Sequence, residues 1–182
     1  MVVDPRVRRR VLQEGFGELC RLRGPIFDFE AFSPPVPERF LFKFRLRSIL
    51  KVAFGRPIYS EPGQVHVVEF LASAHYPDSI SNEDIKFLTS PIFHPNVFTS
   101  GKVCVGGFVP SESLGHFALR IGRMIKFEPA YINEYSAANA EAAAWYVHNL
   151  ATFPVDRTVL PTLDKFVAGS VRRAFIPGTI QR

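Results

Sequence analysis

The sequence predicts an α+β fold with an N-terminal helix, a group of antiparallel strands and a group of C-terminal helices. Apolar residues recur at helical spacing near the N-terminus, alternate at strand spacing between residues 40 and 93, and return to helical spacing from residue 114. Strands and helices that are segregated along the chain are typical of α+β proteins. The 182 residues, 47% of them hydrophobic, suffice for one domain with a sizeable core.

The first predicted element is a helix that begins at Asp4 and Pro5. An aspartate accepts hydrogen bonds at a helix N-cap, and proline fits the first turn. Gly15 and Gly17 weaken the prediction, and a Gly-Pro pair at residues 24–25 ends the helix. The apolar residues on its broad buried side are Val7, Val11, Leu12, Leu19 and Leu22.

Three or four antiparallel strands are predicted after a proline-rich connection at residues 25–39. The segment RFLFKFRLRSILKV (39–52) alternates apolar and polar side chains, which indicates a half-buried strand. GRPIYSEPG (55–63) is typical of a turn, QVHVVEFLASA (64–74) of a second strand, and IKFLTSPIF (85–93) of a third. The inward-facing residues of the first strand are Phe40, Phe42, Phe44 and Leu46.

The C-terminal part is predicted to form three helices. The first follows a stripe that starts at Leu114, and the second is SAANAEAAAWYVHNLA (136–151) with Ser136 as N-cap. Pro161 occupies the first turn of the third, within a helical extension over residues 158–176. The stripe of the first helix consists of Leu114, Phe117, Ala118, Ile121, Met124 and Ile125. The stripe of the third consists of Leu163, Phe166, Val167, Val171 and Ala174.

Charge and composition exclude several classes of function. The net charge of +5 lies at the ends of the chain, because residues 1–23 carry six arginines against three acids and residues 170–182 carry three arginines and no acid. No basic helix carries interleaved aromatic residues, so we do not expect a nucleic-acid partner. No apolar run approaches the ~20 residues that a membrane span needs, and the N-terminus lacks a signal-peptide apolar region.

The cysteines and histidines do not predict a metal, a cofactor or a disulfide. Cys20 and Cys104 form neither a disulfide framework nor a CxxC zinc motif, and His75, His116 and His148 share no metal-ligand spacing. The simplest interpretation is a reducing, cytoplasmic setting.

The stretch FHPNVFTSGKVCVGG at residues 93–107 contains the main candidate for chemistry. Cys104 is either a nucleophile or a small buried apolar residue. Gly101, Gly106 and Gly107 suit an extended and accessible backbone more than a packed strand. His94 together with Cys104 would also be compatible with a cysteine hydrolase, but such a pair is recognised by geometry rather than by spacing.

This stretch resembles the active-site segment of ubiquitin-conjugating enzymes. That family carries an aromatic residue, His-Pro-Asn, a glycine-containing turn, and the catalytic cysteine eight residues after the asparagine, as from Asn96 to Cys104 here. The Tyr-Pro pair at residues 76–77 and the segment SAANAEAAAWYVHN resemble two further family motifs, and Ser136 follows the cysteine at a family-like distance. The resemblance covers about residues 4–150.

The resemblance implies the ubiquitin-conjugating-enzyme fold: an N-terminal helix, an antiparallel four-stranded meander, a catalytic loop and C-terminal helices. Residues 1–182 would then form a single domain, with a core at about 4–150 and the extension at 158–176. It also implies an activity in which Cys104 accepts a ubiquitin-like modifier as a thioester from an activating enzyme. Cys104 would then transfer the modifier to an amine, usually a lysine, of a target protein.

The resemblance further implies roles for individual residues. Asn96 would stabilise the oxyanion or fix the loop beside Cys104, and Ser136 would lie at the mouth of the site, where an acid in other family members assists the lysine. A plain N-cap is an equally good interpretation of Ser136. The remaining loop residues would be structural, and these are His94, Pro95 and Gly101.

The arginines of the first helix correspond to the family's docking site for the activating enzyme, although a solvated charged helix end is an equally good interpretation. These residues are Arg6, Arg8, Arg9 and Arg10. The chain departs from the family where it lacks a tryptophan in the stretch that follows the cysteine (105–125) and a double proline soon after Tyr76-Pro77. It looks more similar to the prokaryotic conjugating-like proteins of bacterial defence operons, which occur beside an activating enzyme, a ubiquitin-like protein and a deconjugating metalloprotease. An inactive binding module that scaffolds a conjugation complex is the main alternative.

Overall fold

The N-terminal helix begins and ends where the sequence predicts. In the computed structural model, which describes residues 3–32, 36–106, 112–133 and 135–163, helix α1 spans Pro5–Leu22. The Asp4 carboxylate caps it by accepting hydrogen bonds from the backbone N–H groups of Arg6 and Val7. The helix buries one side against the rest of the domain through Leu12, Gly15, Leu19 and Leu22.

The described residues form a four-stranded antiparallel sheet and a separate two-stranded hairpin. The strands in chain order are β1 (Phe27–Phe32), β2 (Arg39–Phe44), β3 (Ile49–Ala53), β4 (Arg56–Tyr59), β5 (His66–Leu71) and β6 (Ile85–Phe87). The sheet has the order β1-β2-β5-β6, and β3 pairs with β4. The sheet is therefore a meander into which a hairpin is inserted between its second and third strands.

Two of the predicted strand boundaries are wrong. The connection predicted at residues 25–39 contains β1, because its prolines, at positions 25, 34, 35 and 37, leave between them an FDFEAF segment that pairs along its whole length with β2. The predicted strand at 39–52 divides into β2 and β3, and the predicted turn at 55–63 contains β4. A tight turn with positive φ at Phe54 (51°) and Gly55 (74°) joins β3 to β4, so the two strands form a hairpin where the sequence predicted one strand followed by a turn.

A phenylalanine-rich face of the sheet makes the core. The β2 side chains Phe40, Phe42 and Phe44 are fully buried, and the ring of Phe70 on β5 lies 6.1 Å from that of Phe42. Burial of each such side chain contributes about 1.5–3 kcal/mol. This face, together with α1 and a second helix, fixes the scaffold on which the loop after β6 is built.

Two further helices follow, and α2 agrees with the prediction while the start of α3 does not. Helix α2 spans Leu114–Ile125 and is capped by Ser113. Helix α3 spans Ala140–His148, and its N-cap is Asn139 rather than Ser136 because the Asn139 side chain accepts the Ala142 N–H at 3.0 Å. No described helix combines the length and hydrophobicity of a membrane span.

The predicted C-terminal helix lies largely outside the described residues. Residues 158–163 are described and contain no helix, so Pro161 does not begin one within them. The predicted stripe residues Phe166, Val167, Val171 and Ala174 fall in residues 164–182, outside the described part of the chain.

We expect opposite effects on stability from alanine at the two glycines of α1. A Cβ at Gly15 would meet the Leu114 Cβ at 2.6 Å, whereas a Cβ at Gly17 would have no atom closer than 3.9 Å. Gly15→Ala should therefore destabilise the protein by about 1–3 kcal/mol through overpacking. Gly17→Ala should stabilise it by about 0.5–1 kcal/mol because alanine loses less backbone entropy in a helix.

Urea unfolding of both variants beside the wild type measures this difference. Gly17→Ala is the matched control, since it makes the same chemical change one half-turn along the same helix. An equal gain in both variants would show that α1 and α2 are not in close contact at Gly15.

Candidate active site

A tight turn brings the two ends of the loop 94–104 together. The Val97 N–H donates to the His94 carbonyl at 3.0 Å, and Val97 pairs with Val103 in an isolated antiparallel bridge. Next to this bridge, the Cys104 N–H donates to the Asn96 carbonyl at 2.8 Å. The spacing of eight residues therefore places Asn96 and Cys104 directly opposite each other.

Gly101 is required at the tip of this turn. Its φ is +87°, a value that side chains other than glycine rarely adopt, and a Cβ there would lie 3.1 Å from the Phe87 carbonyl oxygen. The Gly101 carbonyl also accepts the Phe87 N–H at 2.9 Å. This contact fixes the turn to the end of β6.

The Asn96 side chain connects two parts of the chain that are far apart in sequence. Its Nδ2 donates to the Cys104 carbonyl at 3.3 Å, and its Oδ1 accepts the Asn133 N–H at 2.9 Å. Asn96 thus holds the backbone of the cysteine and ties it to the segment between α2 and α3. Asn133 could not be predicted from the sequence, because no local motif marks a residue whose contribution is a backbone N–H.

Cys104 is a free, half-buried cysteine at a cavity of about 380 Å³. The cavity is mixed in character, with amide and guanidinium groups beside aliphatic side chains. Its lining comprises Asn96, Cys104, Val105, Gly106, Arg120, Ile121, Met124, Ala130, Tyr131, Ile132 and Asn133. Cys104 thus lies at the edge of a cavity and not only within the packed core.

His94 is a buried part of the scaffold. Its Nδ1 accepts the Asn96 N–H at 3.0 Å, and its ring lies 4.4 Å from that of Phe127. Burial lowers the pKa of His94 from 6.5 to about 3, so the ring is neutral at pH 7. No described histidine lines the Cys104 cavity, which argues against a His–Cys hydrolase pair.

Pro95 contributes a backbone contact to the same scaffold. Its carbonyl accepts the N–H of Asn139, the N-cap of α3, at 3.0 Å. The loop and the start of α3 are thereby joined.

The structure does not place Ser136 in the Cys104 cavity. Ser136 is exposed and lines a separate surface depression with Tyr135 and Val147. Its backbone N–H donates to the Asn133 Oδ1 at 3.0 Å, so it supports the residue that holds Asn96.

The four arginines in the first two turns of α1 differ in their surroundings. Arg8 donates to the backbone carbonyls of Ala72 and Ser73 and pairs with Glu38, so its guanidinium is engaged within the fold. The other three are exposed at the start of the helix, and these are Arg6, Arg9 and Arg10.

The fold is that of ubiquitin-conjugating enzymes. Ubc12 from S. cerevisiae superimposes with a TM-score of 0.55 and 14% identity, over 78% of this chain and 72% of that one. Human ubiquitin-conjugating enzyme E2 G1 superimposes with a TM-score of 0.50 and 20% identity, over 68% of this chain and 97% of that one. No family model and no curated protein matches the sequence. The predicted fold class is thus confirmed.

Proposed function

We propose that this protein is a conjugating enzyme for a ubiquitin-like modifier and that Cys104 carries the modifier as a thioester. The Cys104 thiolate attacks the thioester carbonyl that joins the modifier to the cysteine of an activating enzyme. A new C–S bond forms, the old one breaks, and the thiolate of the activating enzyme leaves. An amine, in most cases a lysine, then attacks the new thioester, loses a proton to solvent and releases Cys104 as thiolate.

One observation carries this proposal. On the fold of a conjugating enzyme, a free cysteine lies at an open cavity, and both its N–H and its C=O are hydrogen-bonded by Asn96. A cysteine that served only as core packing would need neither the cavity nor the asparagine. The second hydrogen on the Asn96 Nδ2 can also donate to the oxyanion of the tetrahedral intermediate, while the first holds the loop.

The proposed partners are a ubiquitin-like modifier, its activating enzyme and a target protein. The exposed arginines Arg6, Arg9 and Arg10 are the candidates for docking the activating enzyme, and Arg8 would orient their helix. Ser136 would act through Asn133 and not on the substrate amine. We further propose a cytoplasmic role in bacterial antiphage defence, in a pathway that includes a deconjugating metalloprotease.

The decisive experiment compares Cys104→Ser with the wild type. Both are expressed in the native host with the neighbouring genes, and their intact masses are recorded with and without a reducing thiol. We expect an added mass of one small protein on the wild type that the thiol removes. Cys104→Ser should retain the adduct as a thiol-resistant oxyester, and Cys20→Ser should behave like the wild type.

The other outcomes correspond to the alternative functions. If neither form carries an adduct while the activating enzyme is charged, the protein is a binding module that scaffolds the conjugation complex. If the wild type hydrolyses acyl substrates without an activating enzyme, it is a cysteine hydrolase.

A further inference from the structure

Arg120 of helix α2 reaches back to two positions of the chain that precede the helix. Its Nη1 donates to the Val105 carbonyl at 2.7 Å, and its Nη2 pairs with the Glu112 carboxylate at 2.7 Å. Val105 directly follows Cys104, and Glu112 directly precedes the cap of α2. One guanidinium thus bridges the end of the cysteine loop and the start of the next helix, at the lining of the Cys104 cavity.

This ion pair is better protected from solvent than a typical surface pair. The side chains of Arg120 and Glu112 are 18% and 17% exposed, whereas those of Arg39 and Glu69, which pair across the sheet, are 45% and 20% exposed. Exposed pairs contribute little because water and salt screen them. A charge-assisted contact to a carbonyl that water reaches poorly is stronger and more directional.

We propose that Arg120 and Glu112 form a clamp that positions Cys104 for acyl transfer, a role that rests on the proposed function. Asn96 fixes the N–H and C=O of Cys104 from one side. Arg120 fixes the next carbonyl from the other side, and Glu112 holds the guanidinium in place. The backbone of the cysteine is therefore restrained by hydrogen bonds on both sides of its peptide unit, at the cavity that Cys104 lines.

An arginine is needed because the clamp makes two contacts with one planar group. Its guanidinium presents parallel donors that reach a carbonyl and a carboxylate together, and its face lies 5.2 Å from the ring of Phe117. A lysine ammonium is a point charge that cannot reproduce this fork. Arg120→Lys therefore keeps the positive charge but cannot contact the Val105 carbonyl and the Glu112 carboxylate together.

The test measures thioester formation on Arg120→Lys, Arg120→Met, Glu112→Gln and the control Arg39→Lys. The concentration of charged activating enzyme is varied to separate kcat from KM. Misplacement of a reacting group lowers the rate on the order of tenfold to a hundredfold, so we expect such a fall in kcat for both Arg120 variants with KM unchanged. Glu112→Gln should keep most of the rate, because its amide oxygen still accepts from the guanidinium.

A second readout does not depend on conjugation. Iodoacetamide alkylation at Cys104 is compared with that at Cys20, which is exposed on α1 and serves as an internal standard. Loss of the clamp lets the half-buried thiol move outward, so the Cys104 to Cys20 ratio should rise several-fold in Arg120→Lys and stay constant in Arg39→Lys. Circular dichroism melts confirm that each variant is folded at the assay temperature.

The clamp is disproved if Arg120→Lys matches Arg39→Lys in both kcat and the alkylation ratio, or if only KM changes. If the wild type forms no thioester at all, the proposed function fails. The alkylation ratio then still decides the clamp, since a rise supports it and an unchanged ratio overturns it.

Discussion

Asn96→Ala should slow discharge of the Cys104 thioester by about two orders of magnitude and lower stability by about 1–3 kcal/mol. The variant loses the donor to the Cys104 carbonyl and the acceptor for the Asn133 N–H. A buried N–H without an acceptor costs about 1–3 kcal/mol. Loss of an amide donor to a tetrahedral oxyanion costs about 10²–10³-fold in rate.

Asn96→Asp separates the two roles of this side chain. A carboxylate can still accept the Asn133 N–H, but it has no donor for the Cys104 carbonyl or for an oxyanion. We therefore expect Asn96→Asp to retain more stability than Asn96→Ala and yet to discharge as slowly. The measurements are single-turnover discharge of the charged protein to free lysine, and urea unfolding of each variant.

A purely structural Asn96 would give a different pattern. The discharge rates would then follow the free energies of unfolding, and Asn96→Asp would lie between Asn96→Ala and the wild type. Wild-type discharge by Asn96→Asp would exclude any donation from this amide in the reaction.

Helices α1 and α2 and strands β2 and β5 could be predicted because their signals are local. The Asp4 cap and the spacing of buried leucines define α1, and the stripe from Leu114 defines α2. The inserted hairpin could not be predicted, since its turn places Phe54 at a positive φ, where turn rules call for Asn, Asp or Gly. Apolar and polar side chains continue to alternate across the break between β2 and β3, so the pattern at residues 39–52 gives no sign that the strand ends there.

The residues of the candidate site also fall into two groups, those that the sequence could predict and those that it could not. Asn96 and Cys104 are brought together by a short glycine-containing turn, and their spacing in the sequence reflects that geometry. Asn133 and Arg120 reach the same cavity through contacts that span 37 and 15 residues. Such contacts depend on how α2 packs against the sheet, which no local pattern encodes.

The structural position of Ser136 could not be predicted from its place in a sequence motif. It stands at the expected distance from Cys104 in sequence, but α3 begins at Ala140 with Asn139 as its cap. The serine is therefore left in the preceding turn, with its N–H on Asn133.

Acid should destabilise this protein more than it destabilises His94→Asn. In the folded state the pKa of His94 is lowered from 6.5 to about 3, and desolvation by burial is the cause. Between these two values the unfolded chain binds a proton that the folded chain does not. The contribution of His94 is therefore fully present above pH 6.5 and is lost progressively as the pH falls towards 3.

The loss of stability that His94 causes at low pH is large enough to measure. At about 1.4 kcal/mol per pKa unit, the difference amounts to on the order of 4–5 kcal/mol at pH 3, against a total stability of about 5–15 kcal/mol. His66, whose pKa burial also lowers, acts in the same direction in both proteins. The comparison with His94→Asn removes that shared contribution, together with that of the carboxylates.

The measurement is urea unfolding at intervals from pH 8 to pH 3. In His94→Asn, the asparagine Oδ1 can accept the Asn96 N–H in place of the histidine Nδ1, so the loop contact is kept while the titrating group is lost. The wild type should be the more stable protein at pH 8 because its ring packs on Phe127, and its advantage should shrink or reverse below pH 6. Parallel curves would contradict the prediction, because they would mean that His94 takes up a proton as readily in the folded protein as in the unfolded chain.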